Sequence, residues 1–296
     1  MSNRTKGLLF AFIALFSWGI HGPAGRYLAL QGVDMMFVTE ARFVIGMVVF
    51  GLFLLIKRAF VFDIKRRFGL VLFIALVGVC GNSLVYHLTL KYLSGTLVMI
   101  LENLAPVFVF LLSFIVHKIK PKVIELLTLI IAMSGIVLIV LGKEHFEGMS
   151  EGFYIGVILG VLTGLTFGLY VFFSSELMRP LKGDPVAIVQ FLFKIFVICS
   201  LCMSPFLFTA TQYPNTTREW LWLLEMGVFQ SGLSYLFWNY ALTLLPVNMT
   251  SILFISTIIF TTINEVLFLG LTLNPYLIAG GGLIVLAGYL LAKKDK

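Results

Sequence analysis

The residues most able to do chemistry in this chain lie in one apolar stretch, Ser94 to Val116, which reads SGTLVMILENLAPVFVFLLSFIV. Its 23 residues form a helix long enough to cross the roughly 30 Å hydrocarbon core of a bilayer. Glu102 falls about 12 Å along that helix, near mid-depth, where a carboxylate costs at least about 2.5–3.5 kcal/mol. Pro106 follows four residues later. Its missing N–H leaves the Glu102 carbonyl without a helical partner, and its ring bends the helix there. A carboxyl, a freed carbonyl and the Asn103 amide thus share a kink inside a membrane, and such groups must face protein or water. Two readings follow: the patch glues neighbouring helices together, or it lines a solute pathway with Pro106 as hinge.

Other polar groups fall at matching depth. His21 lies in the outer half of the first apolar stretch, just past Trp18, and Arg42 lies about 10 Å into the second. Arg42 and Glu102 either form a buried ion pair, or Glu102 and His21 face a cavity while Arg42 is structural or attracts anionic groups. Glu102 then serves as a proton-coupling group or as a fixed counter-charge for a cationic substrate group. Farther on, Asn82 and Tyr86 are candidates on the third stretch, as is His87 unless it only reaches the outer interface. Tyr170 is a candidate on the sixth. Tyr235, Trp238 and Asn239 share one helix face at i, i+3, i+4, a pattern that also suits packing or an interfacial belt. Glu40, Glu225 and Glu265 read as interfacial or rim residues, and Lys194 as a snorkelling cation.

The elements that position these groups are membrane helices. The chain has 296 residues, 60% of them hydrophobic and 12% charged, with a mean hydropathy of +1.04. That composition excludes an ordinary soluble globular protein. Ten spans can be drawn, at about 8–30, 35–56, 69–90, 94–116, 123–142, 152–173, 186–210, 220–243, 247–270 and 275–292. The first is too long for a signal-peptide core and is followed by more spans. With the N-terminus in the cytoplasm, fifteen Lys and Arg fall on the inner side and four on the outer, from Arg4 and Lys6 through to Lys296. This bias places both termini in the cytoplasm of a multi-pass inner-membrane protein. The net charge of +7 is therefore an orientation signal, and no nucleic-acid partner is expected.

The halves repeat. HLTLKYLSGTLVMIL from His87 resembles NYALTLLPVNMTSIL from Asn239, and MSGIVLIVLGKE from Met133 matches LAGYLLAKKDK from Leu286, at an offset of 152–153 residues. SWGIH at Ser17 sits opposite TFGLY at Thr166. Five spans per repeat make the second copy enter the membrane upside down, an arrangement recurrent in secondary transporters. The expected fold is an all-α integral membrane protein, with ten transmembrane helices as two inverted five-helix repeats, residues 1–147 and 148–296. The acidic link Lys143 to Glu151 is the joint. Glycines at 152, 156, 160, 164 and 168 lay a smooth strip for close helix approach.

SWG in the first span, Arg42–Phe43 in the second, LKYLSGTL ahead of the Pro106 helix and a small-Gly helix closing each half together resemble the EamA-type branch of the drug/metabolite transporter superfamily. The second copy departs from the first in having Ser256-Thr257-Ile258 where Pro106 would repeat. The resemblance implies a secondary transporter that exports small metabolites, with amino acids and related amphipathic compounds as common cargo. Efflux of lipophilic cations onto an aromatic box with Glu102 is the alternative transport reading, and a membrane enzyme or scaffold the alternative outside transport. No HExxH, nucleotide-binding glycine loop or supported Ser/His/Asp set is present, so no enzyme, cofactor or metal is expected. The single Cys199-x-x-Cys202 has no second pair. The expected partners are a small-molecule substrate, membrane lipid, and protons or a counter-substrate.

Overall fold

The computed structural model describes residues 2–60, 67–147, 152–270 and 275–293. Lys65 and Arg66 of the basic loop, residues 148–151 of the expected joint and the last three residues lie outside them. Helices abut end to end to form ten rods, and no strand occurs among the described residues. Seven are long and apolar enough to cross a membrane: α1 (Asn3–Leu30), α2 (Met35–Ile56), α3 (Phe68–Thr89), α4 (Gly95–His117), α6 (Phe153–Leu181), α7 (Pro185–Leu207) and α9 (Val247–Leu269). Two more, α5 (Val123–Glu147) and α10 (Pro275–Lys293), have shorter apolar cores, Val123–Leu138 and Ile278–Ala287. The remaining rod, α8, joins Thr217–Glu225, Met226–Ser234 and Tyr235–Leu244, and its middle carries Gln230, Ser231 and Ser234.

The 152-residue offset is written into this architecture. α4 begins at Gly95 and α9 at Val247. Lys118 and Gly270, which end them, are both left-handed, at φ 57° and 70°. Asp34 and Asp184 cap α2 and α7 in the same way, each accepting from the N–H groups two and three residues on. π-Helical turns widen α3 over Ile74–Gly81 and α8 over Met226–Ser234, a register no sequence similarity announces. Rods α2, α4 and α5 each pack against their own counterparts α7, α9 and α10. α4 and α9 run antiparallel. Thr96 at the start of α4 meets Glu265 near the end of α9, while Ser113 near the end of α4 meets Asn248 at the start of α9. α9 is therefore inverted relative to α4.

Both α4 and α9 are broken at mid-length. α4 turns at Asn103–Leu104 and restarts at Ala105, where Pro106 removes the N–H that would have closed on Glu102. α9 breaks at Ile255–Ser256 without a proline, and there the Thr257 hydroxyl bonds the Phe254 carbonyl at 2.6 Å. The breaks face one another: Asn103 Nδ2 donates to Met99 O at 2.6 Å and approaches Thr257 Oγ1 at 3.4 Å. The glycine strip of α6 lies directly on the broken rod. A Cβ at Gly160 would meet Leu101, one at Gly164 would sit 2.7 Å from the Leu101 carbonyl oxygen, and one at Gly168 would meet Phe108. No residue with a Cβ lets α6 approach that closely.

Candidate functional site

The broken rods α4 and α9 surround one polar pocket together with α1, α2, α3, α6 and α8. Trp18, His21, Arg42, Asn82, Tyr86, Glu102 and Tyr235 line it, together with Ser83, Met99, Phe167 and Phe254. The space between these side chains is about 20 Å³, room for about one water.

Arg42 is 2% exposed and donates to two neutral partners, the Ser83 hydroxyl and His21 Nδ1 at 3.5 Å. Its Nε has no partner, and no carboxylate lies within 4.0 Å of the guanidinium among the described residues. The Arg42–Glu102 ion pair, one of the two readings of the sequence, is thus not formed in this structure. Glu102 instead accepts from Asn82 Nδ2 at 3.0 Å, and the same amide reaches the Thr163 carbonyl at 3.0 Å. Arg42 and Glu102 face the same small space, each held by neutral groups.

The apolar wall is a cage of rings about Trp18, whose centroid lies 5.3–5.9 Å from those of Phe167, Tyr235, Trp238 and Phe254. Phe167 and Phe254 stack at 4.1 Å. Four of the residues singled out from sequence stand behind this lining. Asn103 bonds across the helix breaks, Tyr170 accepts from Asn239 Nδ2 at 2.6 Å, and Trp238 is fully buried with its indole N–H unpaired. Among the lining residues that sequence reasoning missed, Phe254 carried a signal, because the 152-residue offset sets it opposite Glu102. Phe167 carried one too, because the match of SWGIH with TFGLY sets it opposite Trp18, whereas Ser83 had no signal of its own.

Three further readings change. Glu265 is 2% exposed and accepts from the Thr96 hydroxyl and backbone N–H. It is no solvated rim residue, because the start of α4 folds over it. His87 is fully buried, 3.0 Å from His21. Glu40 is 1% exposed and not interfacial, since α3 and α7 close over that face of α2. At the opposite end of α4 from Thr96, a larger cavity of about 190 Å³ opens over the Ser113–Asn248 contact, with Glu125, His117 and Arg179 in its wall. Asp34 lies outside the membrane-spanning rods. Burial pushes its carboxyl up, but hydrogen bonds from Thr211, Met36 and Phe37 outweigh this and hold it below the usual carboxylate range.

Comparison with known proteins gives one family. The model described as the EamA-like transporter family matches residues 5–141 and again 154–293. An uncharacterized transporter of Archaeoglobus fulgidus is 24% identical over 295 residues, 98% of this chain and 99% of that one. A biotin transporter of Escherichia coli K12 is 25% identical over 224 residues, 74% of this chain and 70% of that one. A crystal structure with 17% sequence identity superposes at a TM-score of 0.76 over 96% of both chains, a likeness of fold.

Proposed function

The chain belongs to the EamA-like transporter family, and from that premise we propose that it carries a small zwitterionic metabolite of amino-acid character across the inner membrane. The transport is alternating access by ten spans with both termini cytoplasmic, in the direction of export. The observation that carries the substrate class is Arg42. A buried guanidinium is normally paired, and here the groups it donates to are neutral and its Nε has no partner. An anionic group on the cargo supplies the missing partner. Glu102, facing the same space, suits an ammonium group on the same molecule, and the ring cage suits its apolar part.

The closing contacts support alternation. Thr96–Glu265 joins the halves at one end of α4 and α9, and Ser113–Asn248 at the other. Because the repeats are inverted, exchanging their conformations opens one end as it shuts the other. The fifteen-to-four charge bias supports the orientation.

The test is net flux in proteoliposomes containing only this protein, with a radiolabelled amino-acid mixture as probe. Wild type should move at least one component. Arg42→Gln should lose that flux at least tenfold while purifying as a folded protein. Full flux in Arg42→Gln removes the anion-binding role, and flux of lipophilic cations alone favours the second reading, efflux onto the aromatic cage.

A further inference from the structure

Glu40 stands outside the pocket and nothing in the proposed binding of cargo uses it. It is the sixth residue of α2, about 8 Å from that rod's start. It lies two residues before Arg42, hence about 200° around the helix, on a face turned away from the pocket. Its side chain is buried, and both carboxyl oxygens lack any hydrogen-bond donor. Three other buried carboxyls behave differently. Glu102 takes the Asn82 amide, Glu265 the Thr96 hydroxyl, and Glu125 the Lys122 N–H. Glu40 alone of these four is left without a donor.

The titratable groups that interact electrostatically with Glu40 are the thiols of Cys80 from α3 and of Cys199 and Cys202 from α7. Rod α8 also packs on α2 and brings Glu225, which is occupied by the Gln230 amide. No cation faces it among these. Arg42, on the same helix, is turned to Ser83 and His21. An isolated carboxylate at such a site carries a large desolvation cost, whereas a neutral acid carries a small one. Thiols are poor partners for sodium or another hard cation, so the ligand that fits is a proton.

We propose that Glu40 is a proton-binding site separate from the cargo pocket, protonated in this closed state and emptied when the rods part. On opening, the carboxylic O–H gives its proton to water and leaves a carboxylate, and closing requires that it take a proton back. Because α2 carries both Glu40 and Arg42, a motion that wets the first also moves the second, which links the proton to the cargo. The inference rests on the transporter reading for its coupling role but not for the proton itself. An intramembrane carboxyl without structural partners is a functional-site hypothesis in its own right.

Two measurements test it. In nanodiscs at neutral pH, infrared spectroscopy should show the stretch of a protonated carboxyl that disappears in Glu40→Gln. A band unchanged in that variant overturns the proposal. Glu40→Leu guards against misfolding: it loses no hydrogen bond, so its melting temperature should be at or above that of wild type. A melting temperature well below wild type means that the carboxyl has a structural partner, which also overturns it. In proteoliposomes with an imposed pH gradient and the labelled amino-acid mixture, the ratio of gradient-driven accumulation to counterflow should fall at least tenfold in Glu40→Gln. An unchanged ratio removes the coupling role. Wild type that moves none of the mixture overturns the proposed function instead, and the infrared band then decides Glu40 by itself.

Discussion

His21 Nε2 and His87 Nε2 lie 3.0 Å apart in the buried wall of the pocket, and their neighbours fix which nitrogen carries each proton. The Thr39 hydroxyl donates to the Met35 carbonyl at 2.7 Å, so toward His87 Nδ1 its oxygen accepts. His87 therefore carries its proton on Nδ1 and accepts at Nε2 from His21. That leaves His21 Nδ1 bare to accept from Arg42, which only donates. The chain is consistent from its guanidinium end to its carbonyl end.

Nitrogen-15 NMR of the folded protein should accordingly show two neutral histidines of opposite tautomer, Nε2–H for His21 and Nδ1–H for His87. Replacing His87 with Phe leaves the His21 N–H and the Thr39 oxygen without partners in the wall. The expected loss is about 1–3 kcal/mol, read as a lower thermal midpoint. Identical tautomers at both positions would contradict the chain.

The glycine strip gives a prediction with an internal control. Gly164 and Gly69 are both helical, but a methyl at Gly164 meets the Leu101 backbone carbonyl at 2.7 Å, while one at Gly69 meets nothing within 4 Å. Backbone cannot swing aside as a side chain does. Gly164→Ala should lower stability by about 1–3 kcal/mol, and Gly164→Leu should abolish folding or flux. Gly69→Ala should be neutral or raise stability by about 0.5–1 kcal/mol, through helix propensity alone. Melting curves of the purified variants decide both.

How far the sequence could be read follows from what repeats and what does not. The offset between His87 and Asn239 announced that α4 and α9 are counterparts, and Pro106 announced the α4 break. The matching break in α9 has no proline to mark it. It rests on the Thr257 hydroxyl, and a Thr in an apolar run signals nothing by itself. The carboxyls were harder still. Glu40 and Glu265 were read by distance from a helix end, which says how deep a residue lies but not which neighbour covers it. Glu40 is buried by α3 and α7, and Glu265 by the start of α4, 169 residues away in sequence. Likewise, 66 residues separate His21 from His87. Nothing in either local pattern pairs them.

Asp34 supplies a pH dependence outside the membrane. Its Oδ1 caps α2 at Met36 N, 2.8 Å, and its Oδ2 accepts from Thr211 N and Oγ1, each at 3.1 Å. The folded carboxyl titrates below its unfolded value of about 3.9. Its contribution is therefore fully present above that value and is lost as the pH falls through the folded one. The gap in thermal midpoint between wild type and Asp34→Asn should be open at pH of about 7 and narrow by about pH 3. A gap that widens on acidification would mean that the hydrogen bonds do not favour the ionised form.

The final prediction separates lining from backing at the ring cage. Tyr235 lines the pocket. Trp238, one helical turn later, is fully buried behind it, with ring centroids 5.3 Å from Trp18 and 5.9 Å from Phe254. Truncating a buried indole of this kind removes packing worth about 3–5 kcal/mol. Trp238→Ala should thus lower the thermal midpoint strongly, while the protein that stays folded keeps its affinity for transported amino acid. Tyr235→Ala should weaken that affinity, because its ring borders the space the cargo enters. Both constants come from one preparation by thermal shift and equilibrium binding. Lost affinity with unchanged stability in Trp238→Ala would bring that indole into the binding site in a more open state, where its unpaired N–H would find a partner on the cargo.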